Sequence, residues 1–165
     1  MAVRPEEFIA GMRQLAAGVS LITTAHDGRR AGLTATAVCS VSAAPPQLLA
    51  CINRGAEAHD LIRAAGLFAV NVLASHQRPL AERFSGVLGL RGSERFDIGT
   101  WTELATGAPV LDPCLAAFDC VLTEAVSAST HTVFIGRVEA VRTRPDLSPL
   151  LYVEGDYRLP SALTG

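Results

Sequence analysis

The chain has 165 residues, 49% of them hydrophobic and 18% charged, with a formal net charge of -2. This is the profile of one folded domain with a sizeable core, and it excludes a disordered protein. The slight acidity and the 5% aromatic content argue against a nucleic-acid surface, which needs a basic patch and stacking rings.

No apolar run approaches the ~18 residues of a membrane span, and the opening Met-Ala-Val-Arg-Pro-Glu-Glu lacks an apolar signal core. A single cytoplasmic domain over residues 1–165 is expected. The chain contains no lysine. That absence removes Schiff-base chemistry and the Walker A lysine, and leaves any phosphate to arginine, hydroxyls and backbone amides. The four cysteines, Cys39, Cys51, Cys114 and Cys120, form no Cys-x-x-Cys pair and read as small buried residues. The four histidines are scattered without metal-ligand spacing.

In chain order, Phe8, Ile9, Met12, Leu15, Ala16 and Val19 recur at helical spacing and predict an amphipathic helix over 5–17, opening near Pro5. Residues 19–25 read as a strand, and Asp27-Gly28 turns it into a second strand over 31–43. That second strand carries Thr34, Thr36, Ser40 and Ser42 at even positions and apolar or small residues at odd ones. One face is therefore expected to be lined with hydroxyls, suited to a flat polar ligand. The strand stops at Pro45-Pro46. A short apolar strand over 47–52 follows, then Asn53-Arg54-Gly55-Ala56-Glu57 and a helix over about 57–65 ended by Gly66.

Residues 67–73 predict another strand, and a helix after Ser75 carries Leu80 and Phe84 four residues apart. Residues 86–113, with several glycines and the only tryptophan, Trp101, read as a long loop with short extended pieces. Two long strands follow over 115–126 and 131–142, and a last strand over about 149–154. Strands that succeed one another through turns, with few short helices, predict a mainly β (α+β) fold: an antiparallel barrel or Greek key rather than a parallel sheet. No Gly-x-Gly-x-x-Gly follows a strand, so a Rossmann fold has no support.

Three segments carry candidate chemistry. The first is the hydroxyl strand. The second is Cys51-Ile-Asn-Arg-Gly-Ala-Glu-Ala-His59, where a glycine- and arginine-bearing loop runs into a helix start, a pattern that binds a phosphate monoester. Glu57, in the first turn, is an alternative partner for those amides. The third is Ser129-Thr130-His131-Thr132 at a strand start, which places a polar group at a strand rim.

In this order and spacing the chain resembles the short-chain flavin reductase family, from Phe8 to about Arg158. The resemblance rests on Gly18-Val-Ser-Leu-Ile-Thr-Thr24, Gly32-Leu-Thr-Ala-Thr36, Cys39-Ser-Val-Ser42 with Pro45-Pro46, Cys51-Ile-Asn-Arg54, Phe68-Ala-Val-Asn-Val-Leu73 and Leu80-Ala-Glu-Arg-Phe84. It continues in Arg95-Phe96, Trp101, Gly107-Ala-Pro-Val-Leu111, Phe118-Asp-Cys120, Thr130-His131 and Phe134-Ile-Gly136. It implies an FMN-binding split β-barrel that works as a homodimer and transfers hydride from NADH or NADPH to flavin.

Carried over by position, it implies that Thr34, Ala35 and Thr36 touch the flavin ring and ribityl, and that Ser40, Val41 and Ser42 hold the ribityl and phosphate end. Cys51, Asn53, Arg54, Ala56 and His59 match the phosphate loop, Phe84 and Tyr157 flank the site, and His131 matches a histidine at the nicotinamide face. Ala56 and His59 depart from the Ser or Thr of many members, which leaves FMN against FAD open. The output is open as well. Reduced flavin supplied to a partner monooxygenase, reduction of a cobalt(II) corrin, a role in pyrimidine breakdown, and a non-catalytic flavin or heme carrier all fit the same barrel.

Overall fold

A computed structural model describes residues 2–161. After helix α1 (Pro5–Met12) come β1 (Ala17–Gly18), β2 (Ser20–His26), β3 (Arg29–Ala35), β4 (Val38–Ala43), β5 (Pro46–Asn53), α2 (Glu57–Ala65) and β6 (Leu67–Val72). A 3₁₀ turn, Ser75–Gln77, leads into α3 (Arg78–Phe84), and a second 3₁₀ segment, Gly92–Asp97, precedes β7 (Trp101–Thr102) and β8 (Val110–Leu111). Two long strands, β9 (Ala116–Ala128) and β10 (His131–Thr143), are followed by the β11 (Leu151–Val153) and β12 (Asp156–Arg158) hairpin.

Seven strands form one antiparallel sheet in the order β3-β2-β6-β9-β10-β5-β4. Its two edge strands, β3 and β4, are consecutive in sequence and are joined only through Thr36 and Ala37. That two-residue link brings the two edges of the sheet together at one corner, and the β4–β5 ladder begins there, with the Cys51 amide donating to the Ala37 carbonyl at 3.0 Å. This is the expected antiparallel split barrel.

The join corrects one expectation. Residues 31–43 are not one strand, because the chain leaves the β2 ladder at Ala35 and enters the β5 ladder at Val38. A register shift between Ser40 and Ser42 then leaves Val41 as an extra residue. The even-numbered hydroxyls consequently do not share one continuous face.

The barrel interior is apolar, with Ile22, Ala50, Ile52, Phe68, Val70 and Phe134 buried together and α2 plugging it with Ala58, Leu61 and Ile62. A second cluster lies on the other side of β2 and β6, where α3 and the 92–111 segment cover Val19, Leu21, Ala69 and Leu73. Both faces of β2 and β6 are thus buried, which accounts for their near-continuous apolar runs. At Gly136 a Cβ would meet Phe68 Cζ at 2.7 Å and Cys120 Cβ at 2.9 Å, so only glycine lets the Phe68 ring fill the interior there.

The first helix departs from expectation. It ends at Met12, and its apolar residues are not buried: Phe8 is 62% and Leu15 62% exposed. The cysteines divide as well. Cys114 and Cys120 are buried and Cys51 half-buried, but Cys39 is exposed on β4, where Ser40 and Val41 beside it are open as well. Among the described residues no helix is long and apolar enough to cross a membrane.

Candidate functional site

Two open cavities meet at Thr34 on β3. One, of about 550 Å³, is lined by Thr34, Ala35, Thr36, Tyr152 and Tyr157, with Arg78 and Glu82 from α3. The other, of about 720 Å³, is lined by Thr34, Asn53, Gly55, Ala56 and Glu57, with Phe84, Arg91 and Arg95. Thr34 and Ser85 border both. Side by side at these two residues, they line a trough between the β11–β12 hairpin and the start of α2, and each is of a size that suits a small ligand.

The α2 end is built to receive an anion. Asn53 Oδ1 accepts from the Gly55 amide at 2.7 Å, which folds residues 53–56 into a tight turn. The helix N-cap is Ala56, which makes no capping bond, so the first amides have no side-chain acceptor. Glu57 does not supply one. Its Oε2 accepts from the Gly92 amide at 2.9 Å, and its Oε1 lies 3.9 Å from the Arg29 guanidinium.

Arg91 and Arg95 bring positive charge to the same cavity. Arg95 is also a fastener: its Nη1 donates to the Gly32 carbonyl at 2.6 Å and the Phe84 carbonyl at 3.2 Å, and its Nε to the Leu90 carbonyl at 2.9 Å. Burial pulls its guanidinium below its ordinary value, Glu57 opposes that, and Arg91 adds to it.

The other end is aromatic and polar. Tyr157 packs edge-on against Tyr152 at 5.3 Å, and the Arg78 guanidinium lies 5.3 Å from the Tyr157 ring centre. Arg78 in turn pairs with Glu82 at 2.7 Å and Asp156 at 3.8 Å. Burial raises the pKa of the Tyr157 phenol. In the middle, Thr34 Oγ1 donates to the Ala81 carbonyl at 2.6 Å, which ties β3 to α3. Gly32 permits this approach, since a Cβ there would meet Phe84 Cε1 at 2.8 Å.

The trough is thus lined by Thr34, Ala35, Thr36, Asn53, Ala56, Phe84 and Tyr157 of the expected set. Other members of that set lie elsewhere. Ser40 and Ser42 border a separate apolar hollow of about 300 Å³ with Phe118, Val138 and Val141, because the bulge and the change of edge carry β4 away from β3. Val41 is exposed, and Cys51 is half-buried opposite Val133. The Arg54 guanidinium reaches across to the Ser127 hydroxyl on the β9–β10 hairpin rather than into the trough.

His59 is a core residue. Its Nε2 lies 2.8 Å from Thr132 Oγ1, its Nδ1 2.7 Å from Asp60 Oδ1, and its ring packs against Phe134. It faces inward because it shares the buried side of α2 with Ala58 and Ile62. His131 is half-buried at the start of β10, directly across from Asn53, with Nδ1 2.9 Å from Thr130 Oγ1. When that hydroxyl donates to Nδ1, Nε2 carries the ring proton.

Arg91 and Arg95 are the cationic residues of the α2 end that the sequence reading did not single out as ligands. The signal available for them was the absence of lysine, which already assigned any phosphate to arginine.

A family model described as flavin reductase like domain matches residues 12–160. The chain is 41% identical over 150 residues to a protein of Bradyrhizobium diazoefficiens named FMN reductase (NADH) RutF, an alignment covering 91% of this chain and 82% of the relative. Among solved structures, a putative flavin reductase from Haemophilus somnus 129PT superimposes with a TM-score of 0.91 at 35% identity, covering 96% of this chain and 100% of that one. BorF, the flavin reductase component of a bacterial two-component tryptophan halogenase, superimposes with a TM-score of 0.87 at 31% identity, covering 96% and 99%.

Proposed function

The chain belongs to the flavin reductase like family, and on that premise we infer that it is an NADH-dependent flavin reductase that takes FMN into the trough beside Thr34. The observation that carries this reading is the polarity of the trough. An anion-receiving end made of the 55–57 backbone, Arg91 and Arg95 adjoins, at Thr34 and Ser85, a cavity walled by tyrosine rings. A phosphate monoester suits the first, and a flat ring system suits the second.

Bound flavin supplies the redox chemistry, accepting a hydride from dihydronicotinamide. The chain supplies position. Thr34, whose hydroxyl proton is committed to Ala81, presents its oxygen as an acceptor to a ring N–H. Phe84, gripped between Phe96 at 5.1 Å and Trp101 at 5.6 Å, forms a rigid apolar floor. His131 stands beside the phosphate turn, with Nε2 as the ring nitrogen free to contact nicotinamide or the flavin edge. Holding donor and acceptor together in this way is where the protein lowers the barrier.

The working unit is a homodimer, and support for it is apolar surface that one copy leaves bare: Phe8, Ile9, Met12 and Leu15 on and after α1, together with Val41, Val126 and Val141 on the sheet. Reduced flavin then passes to a separate cytoplasmic oxygenase.

The test is NADH oxidation by purified protein with and without added FMN, beside the same assay on His131→Ala. Flavin-dependent oxidation in the wild type, with the variant's rate about tenfold lower and its FMN affinity within about threefold, supports the reading. An unchanged rate removes His131 from the reaction, and no flavin-dependent oxidation in the wild type overturns the function. A single species at twice the chain mass in solution supports the dimer, and a monomer refutes it.

A further inference from the structure

We propose that Glu57 is the residue that selects the phosphate monoester of FMN over the adenylylated flavin FAD, by closing the phosphate end of the trough. The proposal rests on the reading that the flavin phosphate enters the cavity of Asn53, Arg91 and Arg95.

Beyond that cavity lies a second one, of about 600 Å³, lined by Gly28, Arg29, Arg30, Ser93, Phe96 and Asp97. Glu57 borders both cavities. Its carboxylate forms the wall between them through two contacts. Oε2 accepts the Gly92 amide at 2.9 Å, and Oε1 sits 3.9 Å from Arg29. Gly92 has φ of +49°, and a Cβ there would stand 3.4 Å from Glu57 Oε1, so the backbone of the 92–97 segment is drawn tight against the carboxylate.

A ligand that ends at its phosphate stops short of this wall. A ligand whose phosphate continues into a second phosphate and an adenosine has to pass it, and at the wall it meets a carboxylate. The second cavity has what an adenosine needs once the wall is gone. The Arg30 guanidinium lies 5.9 Å from the Phe96 ring centre, which makes a stacking platform, and Asp97 offers acceptors to ribose hydroxyls. Glu57 is therefore a specificity residue. It spares FMN because the Glu57–Gly92 contact lies beyond the cavity that holds the phosphate, where Arg91 and Arg95 face it, so only a longer ligand runs into the contact.

Titration of FMN and FAD into wild type, Glu57→Ala and Glu57→Gln, followed by flavin fluorescence, tests this, with Arg91→Ala as a check on the premise. Wild type binding FMN at least about tenfold tighter than FAD is expected. Glu57→Ala should narrow that ratio by about tenfold through tighter FAD binding. Glu57→Gln retains an acceptor for Gly92 and should stay close to wild type.

A Glu57→Ala ratio equal to wild type, with FMN still bound, overturns the proposal. So does a wild type that prefers FAD. Arg91→Ala should weaken both flavins. If it weakens neither, the phosphate does not enter this cavity and the underlying site reading fails instead.

Discussion

Replacing Gly32 with alanine isolates the contact that shapes the trough. Gly32 lies in β3 with an ordinary strand backbone, so alanine meets no conformational penalty there, and its stiffer unfolded chain favours the variant by about 0.4–1 kcal/mol. The added methyl, however, would lie 2.8 Å from Phe84 Cε1, 3.0 Å from Phe84 Cδ1 and 3.0 Å from the Ile22 carbonyl oxygen. One neighbour is a buried ring and the other is ladder backbone, so neither yields cheaply. Overpacking of this kind costs about 1–3 kcal/mol. Taking the middle of each range, the net loss is about 1.3 kcal/mol, which for a chain of this size lowers the melting temperature by about 3–5 °C.

Urea unfolding followed through Trp101 reads both halves of the argument, because this sole tryptophan lies 5.6 Å from the Phe84 ring and should report its displacement in the native baseline. Gly18→Ala is the control, since nothing lies within 4 Å of a Cβ there. Phe84→Leu, which shortens the obstructing ring, should partly rescue Gly32→Ala with a coupling of about 1 kcal/mol. A Gly32→Ala protein as stable as Gly18→Ala, with native fluorescence and FMN affinity unchanged, refutes the claim that glycine is there to admit Phe84.

Burial raises the thiol of Cys114 from 9.0 to about 11 and that of Cys120 from 9.0 to about 12. In the native protein at pH 8 a thiol reagent should modify Cys39 and more slowly Cys51, and reach all four only after denaturation. Because folding raises both values, the stabilisation is fully present below pH 9 and is lost as pH climbs toward 11 and 12. The urea midpoint should fall over that alkaline window, and a flat profile there contradicts the burial. Buried Asp119 accepts from the Ala105 and Thr106 amides, each at 2.7 Å, and from the Thr106 hydroxyl. Asp119→Ala orphans those donors and should cost about 2–5 kcal/mol in urea unfolding, and a loss below about 1 kcal/mol would show that the loop holds itself.

Local signals in the sequence reported local structure. Asp27-Gly28 marks the β2–β3 turn because both residues adopt positive φ, 48° and 73°. Gly66 ends α2 in the left-handed conformation at φ 68°. The β9 and β10 pair follows from two long apolar-rich runs. Residues 31–43 misled because alternation along a chain does not disclose which ladder each half joins. The break at Thr36-Ala37 is imposed by β2 on one side and β5 on the other.

The same limit applies to the site. Arg54 looked like the phosphate ligand because it follows a strand and precedes a helix, yet Ser127, far along the chain, takes its guanidinium. Arg91 and Arg95 reach the cavity only because the 92–97 segment folds back against β3. The periodicity of α1 was legible, but what its apolar side meets was not, because no other part of the described residues covers it.

The joining of β3 to β4 at opposite sheet edges has a kinetic consequence. The β2–β3, β4–β5 and β9–β10 pairs are hairpins that can form early, each from neighbouring residues. The β5–β10 pairing joins Asn53 to His131 and must wait until most of the chain is placed. That same late ladder sets His131 beside the Asn53–Ala56 turn, so the histidine and the turn face one another only once the barrel has closed. Ligand bound there should act almost wholly on the last closure step: it should slow unfolding and leave the early hairpins to form at their own rate.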